Sequence, residues 1–100
     1  MSAHAPTFAT LQATVSELVA RNALHRRGFR LDDVSDVAIV EHVIDEANEL
    51  RDAINDATDV DALREAGDVL GALFHLANRR GWTHEMLATA AIGKLRSRFE

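Results

Sequence analysis

Asp45-Glu46-Ala47-Asn48-Glu49 and, further along the chain, Glu65-Ala66-Gly67-Asp68 are the two phrases on which the fold turns. Each sets two carboxylates three residues apart, Glu46 with Glu49 and Glu65 with Asp68. On an α-helix that spacing stacks them about one turn apart on one side. The flanking residues agree with helix. Around the first phrase Val40, Val43, Ile44, Ala47, Leu50 and Ile54 form an apolar stripe; around the second, Ala62, Ala66, Val69, Leu70, Leu73, Phe74 and Ala77 do the same. The turn between them, Asp56-Ala57-Thr58, is so short that the two helices must be antiparallel neighbours.

Working outward, Pro6-Thr7 opens an earlier helix whose apolar positions are Phe8, Leu11, Val15, Leu18 and Val19, continuing toward Leu24 and stopping before Arg26-Arg27-Gly28. Phe29 to Asp33 is a connector, and Ser35 or Asp36 caps the second helix, which ends near Asn55-Asp56. Thr58 or Asp59 caps the third, which closes at about Arg80. There Arg79 and Arg80 suit the negative end of the dipole and Gly81 can take a left-handed cap. Thr83 caps a fourth helix with apolar positions Leu87, Ala88, Ala91, Ile92, Leu95 and Phe99. The expectation is a single all-α domain over 1–100 with a flexible start at 1–6: a four-helix antiparallel bundle-like subunit, completed by oligomerisation.

Composition narrows the function. The chain is 47% apolar and 27% charged, ordinary for a globular protein. Its net charge of −5 and lack of a basic run argue against nucleic-acid binding. Without cysteine there is no disulfide, thiol nucleophile or thiolate metal site. No apolar run nears the ~18 residues of a membrane span, and no export signal is visible, so a cytoplasmic location is expected.

At 100° per residue, Glu46 and Glu49 lie to one side of a stripe centred near Ala47, and Glu65 and Asp68 take nearly the same offsets from Ala66. Both acidic rows are therefore expected at one edge of the helix pair. Like charges at about 4 Å cost roughly 4 kcal/mol at an effective dielectric near 20. A hard divalent cation with oxygen ligands resolves that repulsion, although a solvated acidic face has the same spacing. Gly67 and Gly71, each costing roughly 1 kcal/mol against alanine inside a helix, point to close approach of a ligand or another helix. His42 and His75 read as partly exposed structural histidines; neither completes the Glu-x-x-His spacing of a di-iron bundle. Trp82, Phe8 and Phe29 read as packing anchors, which leaves base selectivity open.

Taken together, Asp45-Glu46-Ala47-Asn48-Glu49-Leu50, Ala53-Ile54, Glu65-Ala66-Gly67-Asp68-Val69-Leu70 and Lys94-Leu95-Arg96-Ser97-Arg98-Phe99 resemble the MazG family of nucleoside triphosphate pyrophosphohydrolases. The resemblance runs from about Ile44 to Phe99 with order and spacing kept. It implies an all-α fold, a homodimer or homotetramer, and magnesium-dependent hydrolysis of nucleoside triphosphates to monophosphate and pyrophosphate, as in nucleotide-pool housecleaning, with manganese as a possible substitute ion. Carried over by position, Glu46, Glu49, Glu65 and Asp68 would hold the metal, Asp45 and Glu46 would serve catalysis, and Lys94 and Arg98 would bind the phosphates. Two residues depart from the family pattern: Asp45 stands where glutamate is usual, and Ile92 where many relatives carry asparagine. The chain ends at Glu100, so a wall that relatives build from later residues is expected to come from a partner subunit or to be absent. Two other readings stay open, a phosphoribosyl-ATP pyrophosphohydrolase-like enzyme and a non-catalytic helical dimerisation or regulatory module.

Overall fold

A side-chain hydroxyl caps each of the last three helices. In the computed structural model, which describes residues 5–25 and 34–100 (22–25 without their side chains), the elements are α1 (Phe8–His25), α2 (Asp36–Asp56), α3 (Asp59–Arg80) and α4 (His84–Phe99). Most of the expected flexible start, the Arg26-Arg27-Gly28 stop and the connector from Phe29 to Asp33 lie outside the described residues. Ser35 Oγ accepts from the Ala38 N–H at 3.1 Å, and Thr58 Oγ1 accepts from the Asp61 N–H at 3.2 Å. Thr83 Oγ1 accepts from the Met86 N–H at 3.1 Å. Of the two cap candidates offered by the sequence for α2 and α3, the hydroxyl residue is the one used in each case. Gly81 ends α3 at φ 72°, a left-handed conformation that glycine adopts without steric cost. The fold is all-α, as the sequence indicated, and no strand occurs among the described residues.

The α2–α3 hairpin is the most extensive packing unit; α1 lies against α3 and meets the beginning of α4. The open end of the hairpin is clasped by Arg80, whose Nη1 donates to Asp36 Oδ2 at 3.1 Å, while Arg79 donates to the Val34 carbonyl. A second joint forms where α3 turns into α4. Gln12 donates from Nε2 to the Trp82 carbonyl at 2.6 Å and accepts from the His84 N–H at 2.9 Å, and Asn78 Nδ2 donates to the Gln12 carbonyl at 3.1 Å. One amide side chain thus satisfies backbone groups that the chain reversal leaves without helical partners.

Two expectations about the apolar stripes need correction. On α2 the row facing α3 is Ile39, Val43, Glu46, Leu50 and Ala53, whereas Val40, Ile44, Ala47 and Ile54 are exposed. Because α2 packs extensively on only one neighbour among the described residues, its covered face is narrow. Its second apolar row, Val37, Val40 and Ile44, is left open. On α4 every residue from Ala88 onward is exposed, Phe99 at 75%. Only α3, held between α1 and α2, uses a broad stripe, with Ala62, Ala72, Phe74 and Ala77 buried. A Cβ at Gly67 or Gly71 would meet nothing within 4 Å, so among the described residues no helix approaches either glycine closely.

Candidate metal centre in the α2–α3 seam

Because the packed face of α2 is centred near Glu46, that carboxylate lies within the helix–helix seam, not at its edge. Its side chain is 16% exposed. From α3, Glu65 enters the same seam, partly buried, and the exposed Glu49 stands one turn beyond Glu46 on α2. One carboxylate oxygen from each of Glu46, Glu49 and Glu65 lies within 4.8 Å of the other two. Asp68 lines an open cleft of about 490 Å³ together with Ala57, Asp61, Arg64 and Glu65, and its charge reaches both Glu46 and Glu65. Three of the four expected ligands thus converge, with the fourth beside them. Asp45 is exposed next to Glu46 in the sequence and lies outside the cluster.

The electrostatics are those of carboxylates crowded together in a partly buried seam. Burial pushes the Glu46 carboxyl above the ordinary carboxylate range, and Glu49 and Asp68 push it further, against a lowering contribution from His42. His42 Nε2 lies 3.0 Å from Glu46 Oε1, which gives this histidine a carboxylate partner. Burial is also the largest cause of the raised Glu65 carboxyl, followed by the charges of Glu49 and Asp68, with Arg64 opposing. Glu46 Oε2 and Glu65 Oε2 are buried and have no hydrogen-bond partner among the described residues. Unpaired buried carboxylate oxygens are costly. An oxygen-only, anionic donor set suits a hard divalent cation such as magnesium. His75 Nε2 is likewise buried without a partner, and burial, followed by the charges of Arg79 and His42, lowers its pKa.

These shifts predict a specific pH response. A carboxyl raised on folding makes the ion-free folded state bind more protons than the unfolded one. Its contribution to stability therefore falls as pH rises through the raised value. His75, lowered on folding, works the other way, so the carboxylate effect is isolated by comparison with Glu65→Gln. In the presence of a chelator, the melting temperature of Glu65→Gln minus that of the wild type should grow between about pH 5 and pH 7. A difference that shrinks over that interval, followed by thermal denaturation, would contradict the assignment.

Lys94 and Arg98 are not brought to this cluster within one subunit. Both project from the exposed part of α4, which has no extensive packing on α2 or α3, and the Arg98 guanidinium sits 5.9 Å from the Phe99 ring centroid. The cation that does line the acidic cleft, Arg64, was not singled out by the sequence reading. Its signal was its position three residues after Asp61 and four before Asp68, on one side of α3.

An all-α hairpin carries an anionic oxygen cluster in its seam, a donor set of the kind that suits a hard divalent cation. The sequence matches the family described as MazG nucleotide pyrophosphohydrolase domain over residues 34–100, and the chain belongs to that family. The matched span contains the whole of α2, α3 and α4 and every carboxylate of the cluster. Comparison with curated proteins and with solved structures returned no match. No helix among the described residues is long and apolar enough to cross a membrane.

Proposed function

We propose that this chain is a magnesium-dependent nucleoside triphosphate pyrophosphohydrolase, cytoplasmic, which cleaves the α–β anhydride to give a nucleoside monophosphate and pyrophosphate and so serves nucleotide-pool housecleaning. The observation that carries the reading is the convergence of Glu46, Glu49 and Glu65, with two buried oxygens unpartnered, inside a segment of the pyrophosphohydrolase family. Glu46, Glu49, Glu65 and Asp68 hold the ion. When bound, magnesium neutralises phosphate charge and lowers the pKa of a coordinated water. Asp45, exposed beside Glu46, is assigned to orienting the attacking water, and Glu46 itself combines ligation with that catalytic role. His42, within 3.0 Å of Glu46, keeps the carboxylate directed along α2.

Lys94 and Arg98 are assigned to the phosphates. Support for a second copy of the chain comes from α4, which carries these cations beside an uncovered apolar row of Ile92, Leu95 and Phe99. Packing that row against a copy buries it, and a homodimer or homotetramer is the assembly proposed. The test is pyrophosphate release from a panel of triphosphates, with and without magnesium, alongside calorimetry of magnesium and manganese binding. Magnesium-dependent release from at least one nucleoside triphosphate is expected, with manganese able to substitute. Cation binding without any release would favour the helical regulatory module, and release confined to phosphoribosyl-ATP would favour that relative.

A further inference from the structure

The cleft beside the acidic cluster is lined by three carboxylates, Asp61, Glu65 and Asp68, and by one guanidinium, Arg64. An exposed arginine set between acids on a helix face ordinarily pairs with one of them. Here Arg64 makes no hydrogen bond or ion pair among the described residues. Asp61 is already committed, accepting from the Thr58 hydroxyl at 2.9 Å. Glu65 and Asp68 belong to the cation centre, and the buried, unpartnered Glu65 Oε2 shows that Arg64 does not satisfy it. Arg64 therefore lines the cleft with its planar set of N–H donors uncommitted among the described residues.

Donors so placed suit a ligand that is anionic on one side and bound to a cation on the other. A polyphosphate is such a ligand, because the ion bridges to its oxygens while a bidentate guanidinium takes a neighbouring phosphate. Lys94 and Arg98 leave this role open within the subunit, since neither reaches the cleft. We infer that Arg64 is a phosphate-binding residue of the same subunit as the acidic cluster, gripping the triphosphate from the α3 side of the cleft. The inference rests on the pyrophosphohydrolase reading and adds to it a cation supplied in cis. The Arg64 charge already acts on Glu65, opposing its upward shift. Its removal should therefore affect the two ligands in opposite directions, strengthening the pull on a divalent cation and weakening the hold on phosphate.

Calorimetric titration of the full chain separates these effects. Manganese alone is titrated into wild type, Arg64→Gln and Arg64→Lys; inorganic tripolyphosphate is then titrated into each manganese-loaded protein. Arg64→Gln should bind tripolyphosphate about ten-fold more weakly, the order of one charge-assisted contact, with manganese binding unchanged or tighter. Arg64→Lys should recover part of the loss. Equal tripolyphosphate affinity in wild type and Arg64→Gln would make Arg64 a solvated helix-face residue and overturn the inference, as would parallel weakening of both ligands. Absence of tripolyphosphate binding to the manganese-loaded wild type would overturn it too. Hydrolysis with no dependence of phosphate binding on Arg64 sinks only this inference. Arg64-dependent binding without hydrolysis of any nucleotide sinks only the enzymatic reading.

Discussion

Glu65→Gln should lower cation affinity and pyrophosphate release by at least about 100-fold, beyond the loss usual for a residue that merely supports a metal ligand, while the ion-free protein becomes more stable. The two effects share one cause. Glu65 holds a buried, unpartnered oxygen in the field of Glu49 and Asp68. A neutral amide of the same shape removes that charge and can donate a hydrogen bond toward Glu49. Folding then no longer has to bring this repelling carboxylate into the seam. The ligand is lost at the same time. Thermal denaturation with chelator and with magnesium reads both sides: the variant should melt higher than wild type without ion and lose the magnesium-induced rise. Glu49→Gln and Asp68→Asn should follow the same direction, with a smaller stability gain because both side chains are exposed. A variant of Glu65 that bound manganese as wild type does would remove this residue from the site.

Phe74→Ala should cost about 3–5 kcal/mol, the range for emptying a core aromatic site. Phe74 is 3% exposed and lies against Phe8 with ring centroids 6.1 Å apart, so it anchors α1 on α3. The buried set among the described residues is otherwise Ile39 and three alanines, Ala62, Ala72 and Ala77, which give little scope for repacking into the space left. A loss of this size is comparable to the whole stability of many small domains. Chemical denaturation should show a midpoint shifted to much lower denaturant or no folded baseline at all. A loss below about 1 kcal/mol would mean that α1 is held mainly by the Gln12 joint.

The helices were legible because their boundaries depend on local chemistry. Ser35, Thr58, Thr83 and Gly81 act within their own turns, and a hydroxyl or a missing Cβ needs no knowledge of the rest of the chain. The pairing of α2 with α3 followed from the brevity of the link between them. What the pattern could not specify was how many neighbours each helix would have. The α2 sequence carries two overlapping apolar rows, and only the presence of a single extensive neighbour decides that Ile39, Val43 and Leu50 face inward while Val40 and Ile44 do not. That same rotation moves Glu46 from the edge of the pair into the seam. The row on α4 shows a similar gap, since Leu95 and Phe99 signal a surface to be covered without naming the chain that covers it. Arg64 was hidden by its setting among acids, where an ion pair is the ordinary outcome.

The clasp from Arg80 to Asp36 at the open end of the hairpin has a bearing on the acidic seam far from it. With the short turn before Thr58 closing the other end, α2 and α3 are fixed at both ends and the carboxylates lie between. Swinging either end away to relieve mutual repulsion would break the clasp or strain the turn, so under the proposed reading the ion-free seam is held nearer the geometry a cation needs. Less reorganisation then accompanies binding, and affinity gains accordingly. Asp36 is ten positions from Glu46, about 15 Å along the helix axis, yet under the proposed reading it bears on the thermodynamics of cation binding.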